Sequence, residues 1–167
     1  MKSGTVILGA GEVFLANYYN FLVVLHLLAT IVLVGAMTHN LLIVLRYIGG
    51  KFGRKKLEYF YVKVSLWAYA AVYTLGALAY PAFRINRRAA LLDKELPWAT
   101  GLFEVKEHWG ALGLAFLFVY YFLRRSFQPD EEQDKLFFYI PLCLLLNVIL
   151  WYKVVIGCYL ALLKGAV

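Results

Sequence analysis

The sequence predicts an all-α integral membrane protein, in which four spanning helices form a bundle. Hydrophobic residues make up 63% of the 167 residues, and charged residues only 16%. The mean hydropathy is +0.70. A soluble chain of this length could not remove so much apolar surface from water, because the ratio of surface to volume limits its core. The apolar residues also gather in four long runs, and most basic residues lie between these runs.

Each of the four runs is long enough to cross a bilayer, which takes about 20 mostly apolar residues. The predicted spans cover residues 18–47, 61–83, 103–123 and 136–163. The first has no acidic or basic residue between Glu12 and Arg46, and the fourth contains Lys153. Apolar residues surround each span instead of following one stripe, which is typical of membrane helices. We therefore treat residues 1–167 as a single membrane domain.

The formal net charge is +7, and most of the basic residues responsible for it lie at the predicted membrane boundaries. We therefore expect no nucleic-acid partner. The loops after the first and third spans carry nine Lys and Arg residues, and the opposite side carries seven. Because basic residues favour the cytoplasmic side, this difference predicts that both termini lie outside. The expected location is the bacterial inner membrane.

Two histidines lie at similar depth on different predicted spans. His26 precedes Arg46 by twenty residues and His108 precedes Arg124 by sixteen. At 1.5 Å per residue these separations are about 30 Å and 24 Å along the helices. Because spanning helices tilt, distances that differ by this amount can correspond to a similar depth in the membrane. Two histidines on different helices at one depth can hold a haem iron axially. The small residues from Gly110 onward would leave room for the macrocycle. The sequence thus predicts b-type haem between His26 and His108.

His39 raises a separate question on the first span. Thirteen residues separate it from His26, so the two side chains face directions about 140° apart. Two haems held by histidine pairs would also need four histidines, and the chain has three. His39 shares its face with Arg46, which would suit a quinone or a haem propionate. The alternative is a histidine that stabilises helix packing through a hydrogen bond.

Lys153 lies at the depth proposed for His26 and His108. An ionisable residue at membrane depth is a functional-site hypothesis, because an unpaired charge in hydrocarbon is costly. Lys153 could pair with a haem propionate, with Glu107 or with Glu12. The alternative is an interfacial lysine whose ammonium group reaches the membrane surface.

In span number and in its buried histidines the chain resembles the membrane cytochrome b subunits that anchor respiratory dehydrogenases and hydrogenases. The resemblance implies an electron-transport subunit with b-type haem. Such a subunit would have no catalytic reaction of its own, and its partners would be the lipid bilayer and other membrane or peripheral redox subunits. Two other interpretations stay open: a cofactor-free accessory or anchor subunit, and a small proton or ion transporter that uses His39, His108 and Lys153.

Overall fold

The computed structural model describes residues 13–85, 88–89 and 93–166, with side chains to residue 163. All regular elements in this part of the chain are helices, which confirms the predicted all-α class. The four long helices and one short turn of helix are α1 (Tyr19–Leu45), α2 (Lys55–Phe83), α3 (Asp93–Glu95), α4 (Pro97–Arg125) and α5 (Leu136–Ala166).

The ends of the long helices follow from local sequence. α1 runs into a short 3₁₀ turn that closes at Gly50, whose φ of 69° favours glycine. The N–H of Gly50 donates to the carbonyl of Tyr47 at 3.0 Å. α4 begins with Pro97, a residue that suits the first helical position because the N–H it lacks has no helical acceptor there. Pro141 lies within the second turn of α5.

The long helices pack as antiparallel neighbours. α1 contacts α2, and α4 contacts α5. α2 also contacts α4, and α1 also contacts α5, so the four long helices form a ring in which α1 and α4 are diagonally opposite. Side-chain contacts fix the directions: His26 reaches Val72, and Arg124 reaches Glu58. We call the end with the α1–α2 and α4–α5 connections the loop end, and the opposite end the terminal end.

Three helical segments are long and apolar enough to cross a membrane: Ala16–Gly49, Lys55–Phe83 and Gln133–Leu163. They correspond to the first, second and fourth predicted spans. α4 corresponds to the third and is not among them. Large apolar side chains such as Trp67 and Phe137 point away from the other helices and are about three-quarters exposed, at 75% and 76%. Surfaces of this kind are compatible with contact with lipid.

Candidate functional site

A cavity of about 260 Å³ lies at the terminal end, between α1, α2, α4 and α5. We call it the His26 cavity. Lys153 and Glu107 line it together with His26. The remaining wall consists of aromatic, aliphatic and small residues: Tyr19, Val23, Val72, Tyr73, Gly76, Ala79, Tyr80, Phe83, Phe103 and Gly157. Val23 and Tyr73 are each 41% exposed, so the cavity opens on the outer surface of the helices.

The ring of His26 is held by the neighbouring helix. Its Nδ1 lies 2.9 Å from the carbonyl oxygen of Val72. A carbonyl only accepts hydrogen bonds, so Nδ1 carries the proton and Nε2 of the neutral ring keeps its lone pair. Gly76 lets the ring approach α2, because a Cβ at this position would lie 3.3 Å from Cε1 of His26. His26 is therefore fixed in orientation and tautomer, and among the described residues Nε2 has no hydrogen-bond partner, so it can accept from a ligand.

The ammonium group of Lys153 lies between α2 and α4. Its Nζ is 5.2 Å from the ring centre of Tyr69, within the range of a cation–π contact. It also lies against Gly110, where a Cβ would be only 2.6 Å away. Within the described part of the chain Lys153 forms no ion pair, because Glu107 pairs with Lys106 at 2.9 Å instead. The charge of Lys153 is thus available to an acceptor atom in the cavity. Glu12, the other predicted partner, lies outside the described residues.

His108 does not line the cavity. It is exposed, and its Nδ1–H donates to the carbonyl of Glu104 on its own helix at 2.8 Å. Glu107, one residue earlier and therefore about 100° around the helix, faces the cavity in its place. His26 and His108 therefore do not line one cavity. The pairing of His26 and His108 by a haem stays a prediction.

The small residues after His108 have a different use from the one predicted. The sequence suggested them as room for a macrocycle. In the structure Gly110 accommodates the ammonium group of Lys153, and a Cβ at Gly113 would overlap the hydroxyl oxygen of Tyr69. That hydroxyl donates to the carbonyl of Gly110 at 3.0 Å. Side chains of this chain therefore occupy the gap.

His39 and Arg46 line a second pocket, of about 220 Å³, at the loop end. Their predicted common face is thus present, far along α1 from His26. The Nδ1–H of His39 donates to the carbonyl of Gly35 at 2.7 Å, and its ring lies 5.6 Å from that of Tyr61. Arg54 also lines the pocket. We call this site the loop-end pocket.

A buried acidic residue that the sequence analysis did not consider lies near the same end. Glu58 is fully buried, and its carboxylate accepts hydrogen bonds from Nε of Arg124 at 2.6 Å, from the hydroxyl of Tyr139, and from the hydroxyl of Tyr47 at 3.5 Å. The other two guanidinium nitrogens of Arg124 donate to backbone carbonyls at 3.0 and 3.2 Å. We call these four residues the Glu58 cluster. One signal could have revealed it, since Glu58 is the only acidic residue between Glu12 and Asp93.

A polar layer adjoins the Glu58 cluster, where the ring of Tyr120 stacks on that of Tyr139 with centres 4.4 Å apart. The side-chain nitrogen of Asn40 donates to the hydroxyl of Tyr120 at 2.7 Å. The amide nitrogens of Asn40 and Asn147 lie 3.7 and 3.8 Å from the sulfur of Cys143. These contacts connect α1, α4 and α5, so the layer stabilises the register of the helices.

Within residues 13–85, 88–89 and 93–166, no three His, Cys, Asp or Glu side chains form a group that could hold a metal ion. Comparisons with models of protein families, with curated proteins and with solved structures gave no match to this chain. What the chain does is therefore inferred from the geometry of its own side chains.

Proposed function

We propose that the chain is an integral membrane subunit of an electron-transport complex, and that the His26 cavity binds the head group of a quinol or quinone. The observation that carries the proposal is the position of two complementary groups in one cavity: the free Nε2 of His26 and the ammonium group of Lys153. A quinol hydroxyl would donate to Nε2, and Lys153 would donate to the oxygen at the other side of the ring.

The wall of the cavity supports this ligand class. Binding sites for small organic molecules combine apolar and aromatic walls with a few placed polar groups. Here Tyr80 and Phe103 stack with ring centres 6.1 Å apart, and Phe83 and Phe103 with centres 4.9 Å apart. A flat ring fits beside them. The opening next to Val23 and Tyr73 would let an isoprenoid tail leave toward lipid.

The chemistry proposed for His26 is proton acceptance. When a redox centre of a partner subunit, a haem or an iron–sulfur cluster, takes the first electron from the quinol, the proton of the hydroxyl beside His26 must leave. An imidazole whose Nδ1 is already bonded to Val72 can accept that proton at Nε2 and stay in place. The chain itself would bind and orient the quinol, and the electrons would pass to the partner.

We also propose that all four long helices span the bacterial inner membrane with both termini outside. α4 is not among the three helices that qualify by length and hydropathy. The proposal for α4 is supported by its residues 108–123, which contain no Asp, Glu, Lys or Arg. The nine basic residues on the loop side against seven on the other support this orientation.

The proposal can be tested by titrating the purified protein in detergent with a short-chain quinol and measuring the heat of binding by calorimetry. His26→Ala and Lys153→Met should each weaken binding by about tenfold or more, since hydrogen bonds to charged or fixed groups contribute about 1.5–3 kcal/mol. His108→Ala is the matched control, because it removes the same ring outside the cavity. Unchanged affinity in His26→Ala, or a loss in His108→Ala, would contradict the site.

Haem binding is the second candidate function. It is supported by the hydrogen bond from Nδ1 of His26 to a backbone carbonyl, which is how ligand histidines are commonly oriented. An optical spectrum separates the candidates. A reducible Soret band that disappears in both His26→Ala and His108→Ala would support the predicted haem pair. A colourless protein that binds quinol would support the first proposal. A colourless protein that binds no quinol would favour the interpretation as a cofactor-free accessory subunit.

A further inference from the structure

The loop-end pocket lies where α1 ends and α2 begins, far from the His26 cavity. Arg46 comes from the end of α1, and Arg54 precedes the first residue of α2. His39 and Tyr61 form the side of the pocket between the two helices, where their rings are in contact. Two helices and their connection thus direct two guanidinium groups toward one opening.

The two arginines differ from Lys55 and Arg124, the two cations nearby that are paired with carboxylates in the described part of the chain. Lys55 pairs with Asp130 at 2.6 Å, and Arg124 pairs with Glu58 at the same distance. In the part of the chain that the structure describes, neither Arg46 nor Arg54 has a carboxylate within 4.0 Å. The protein therefore leaves two positive charges beside one cavity for an external anion.

The remainder of the pocket is apolar. Leu42 and Leu57 line it, and they are 57% and 42% exposed. A free inorganic anion would not cover these apolar surfaces. A molecule with an anionic head group and hydrocarbon chains would contact the arginines and the apolar residues together. The pocket also lies where one candidate span ends at Gly49 and the next begins at Lys55, which is the level of lipid head groups if these helices cross the bilayer.

We infer that the loop-end pocket binds the phosphate head group of an anionic phospholipid. Arg46 and Arg54 would contact the phosphate oxygens, because the planar guanidinium group binds phosphate through paired hydrogen bonds. The acyl chains would lie over Leu42 and Leu57. Basic pockets between spanning helices on the cytoplasmic side commonly bind such head groups. The inference needs the chain to be in a membrane, but it is independent of the quinol site.

Native mass spectrometry of the delipidated full chain, titrated with phosphatidylglycerol in detergent, tests the inference. Arg46→Gln and Arg54→Gln should each weaken binding about fivefold, the ratio that corresponds to about 1 kcal/mol per cation. The double variant should weaken it about 25-fold if the two contacts are independent. Lys51→Gln is the matched control, since it removes one positive charge from the same connection and does not line the pocket.

Two further arms define the ligand. Phosphatidylcholine should show no saturable binding, and excess inorganic phosphate should not displace phosphatidylglycerol. Equal losses in Lys51→Gln and Arg54→Gln would overturn the inference in favour of diffuse surface charge. Displacement by phosphate alone would overturn it in favour of a free-anion site. Melting temperatures measured without lipid confirm that the exposed-site variants stay folded, so a loss of binding reports on the pocket.

Discussion

The Glu58 cluster and the His26 cavity place ionisable side chains at opposite ends of the same helices, and they satisfy these groups differently. Both oxygens of Glu58 and all three guanidinium nitrogens of Arg124 have partners within the protein. Within the residues that the structure describes, His26 is hydrogen-bonded at one nitrogen only, and the ammonium group of Lys153 lies over an aromatic ring. A closed set of buried polar groups stabilises one arrangement of helices. A group of polar side chains that keeps some hydrogen-bonding capacity unused beside an opening is suited to bind a ligand.

The largest effect should come from breaking the closed cluster. Arg124→Met leaves the carboxylate of Glu58 buried without its counter-charge, which should lower the free energy of unfolding by about 3–5 kcal/mol. Thermal or denaturant unfolding in detergent measures it. Arg125→Met, at the exposed neighbour, is the control and should change little.

The double variant Glu58→Gln with Arg124→Met makes the comparison sharper. Because it removes both charges, it should recover part of the stability that Arg124→Met loses. If Arg124→Met is as mild as Arg125→Met, the Glu58 cluster is not the closed structural element described here.

The second effect concerns the wall that separates the core from the His26 cavity. In Gly113→Ala the new methyl group would overlap the Tyr69 hydroxyl, and the aromatic ring has little freedom to move. Overpacking of this kind should cost about 1–3 kcal/mol of unfolding free energy. Gly101→Ala on the same helix meets nothing within 4 Å and should be stabilising by up to about 1 kcal/mol. Similar results for both variants would show that Tyr69 does not pack against Gly113.

A smaller and more specific effect is expected at Gly76. The methyl group of Gly76→Ala would lie 3.3 Å from the His26 ring, so the ring must shift by a few tenths of an ångström. We expect up to about tenfold weaker quinol binding, since small misplacements of a positioned group are costly, with little change in melting temperature. Gly35→Ala on α1, where nothing lies within 4 Å, is the control. If both variants lose quinol binding, the effect of Gly76→Ala does not act through the position of the His26 ring.

The positions of the long helices along the chain could be predicted from the sequence, but the rotation of each helix about its own axis could not. The first and fourth predicted spans match α1 and α5 closely, because transfer of apolar residues from water depends on composition alone. α2 begins six residues before its predicted span, where basic residues continue the helix beyond the apolar run. Since apolar residues surround each helix, nothing in the pattern specifies which side faces inward. For this reason the sequence predicts a site at His108, whereas the structure places Glu107 on the cavity.

The candidate site could be predicted only in part, for a related reason. Depth along a helix follows from counting residues, and His26 and Lys153, placed at one level, do line one cavity. Contacts between distant segments do not follow from counting. Glu58 and Arg124 are 66 residues apart, and each reads as an ordinary charge at the end of an apolar run. Only the packing of α2 against α4 reveals the pair.

The smallest predicted effect belongs to the ion pair of Lys55 and Asp130, which joins the start of α2 to the α4–α5 connection beside the Glu58 cluster. The hydrogen bond from Lys55 lowers the pKa of Asp130. Because the carboxyl group has a lower pKa in the folded than in the unfolded chain, the pair stabilises the fold above the ordinary Asp pKa of about 3.9. The contribution is lost as the pH falls through the lowered folded pKa. Both side chains are partly exposed, so solvent weakens the interaction.

Asp130→Asn should therefore unfold slightly more easily than the wild type at neutral pH, and the difference should disappear in acid. Unfolding in detergent at several pH values measures it, with Glu131→Gln as the neighbouring control, because Glu131 forms no ion pair within the described residues. High salt should reduce the difference in the same way as acid, since screening weakens exposed pairs. A difference that persists in acid and in salt would mean that Asp130 acts through its shape or its hydrogen bonds. The loop end would then be held together by the buried Glu58 cluster without help from charge at its surface.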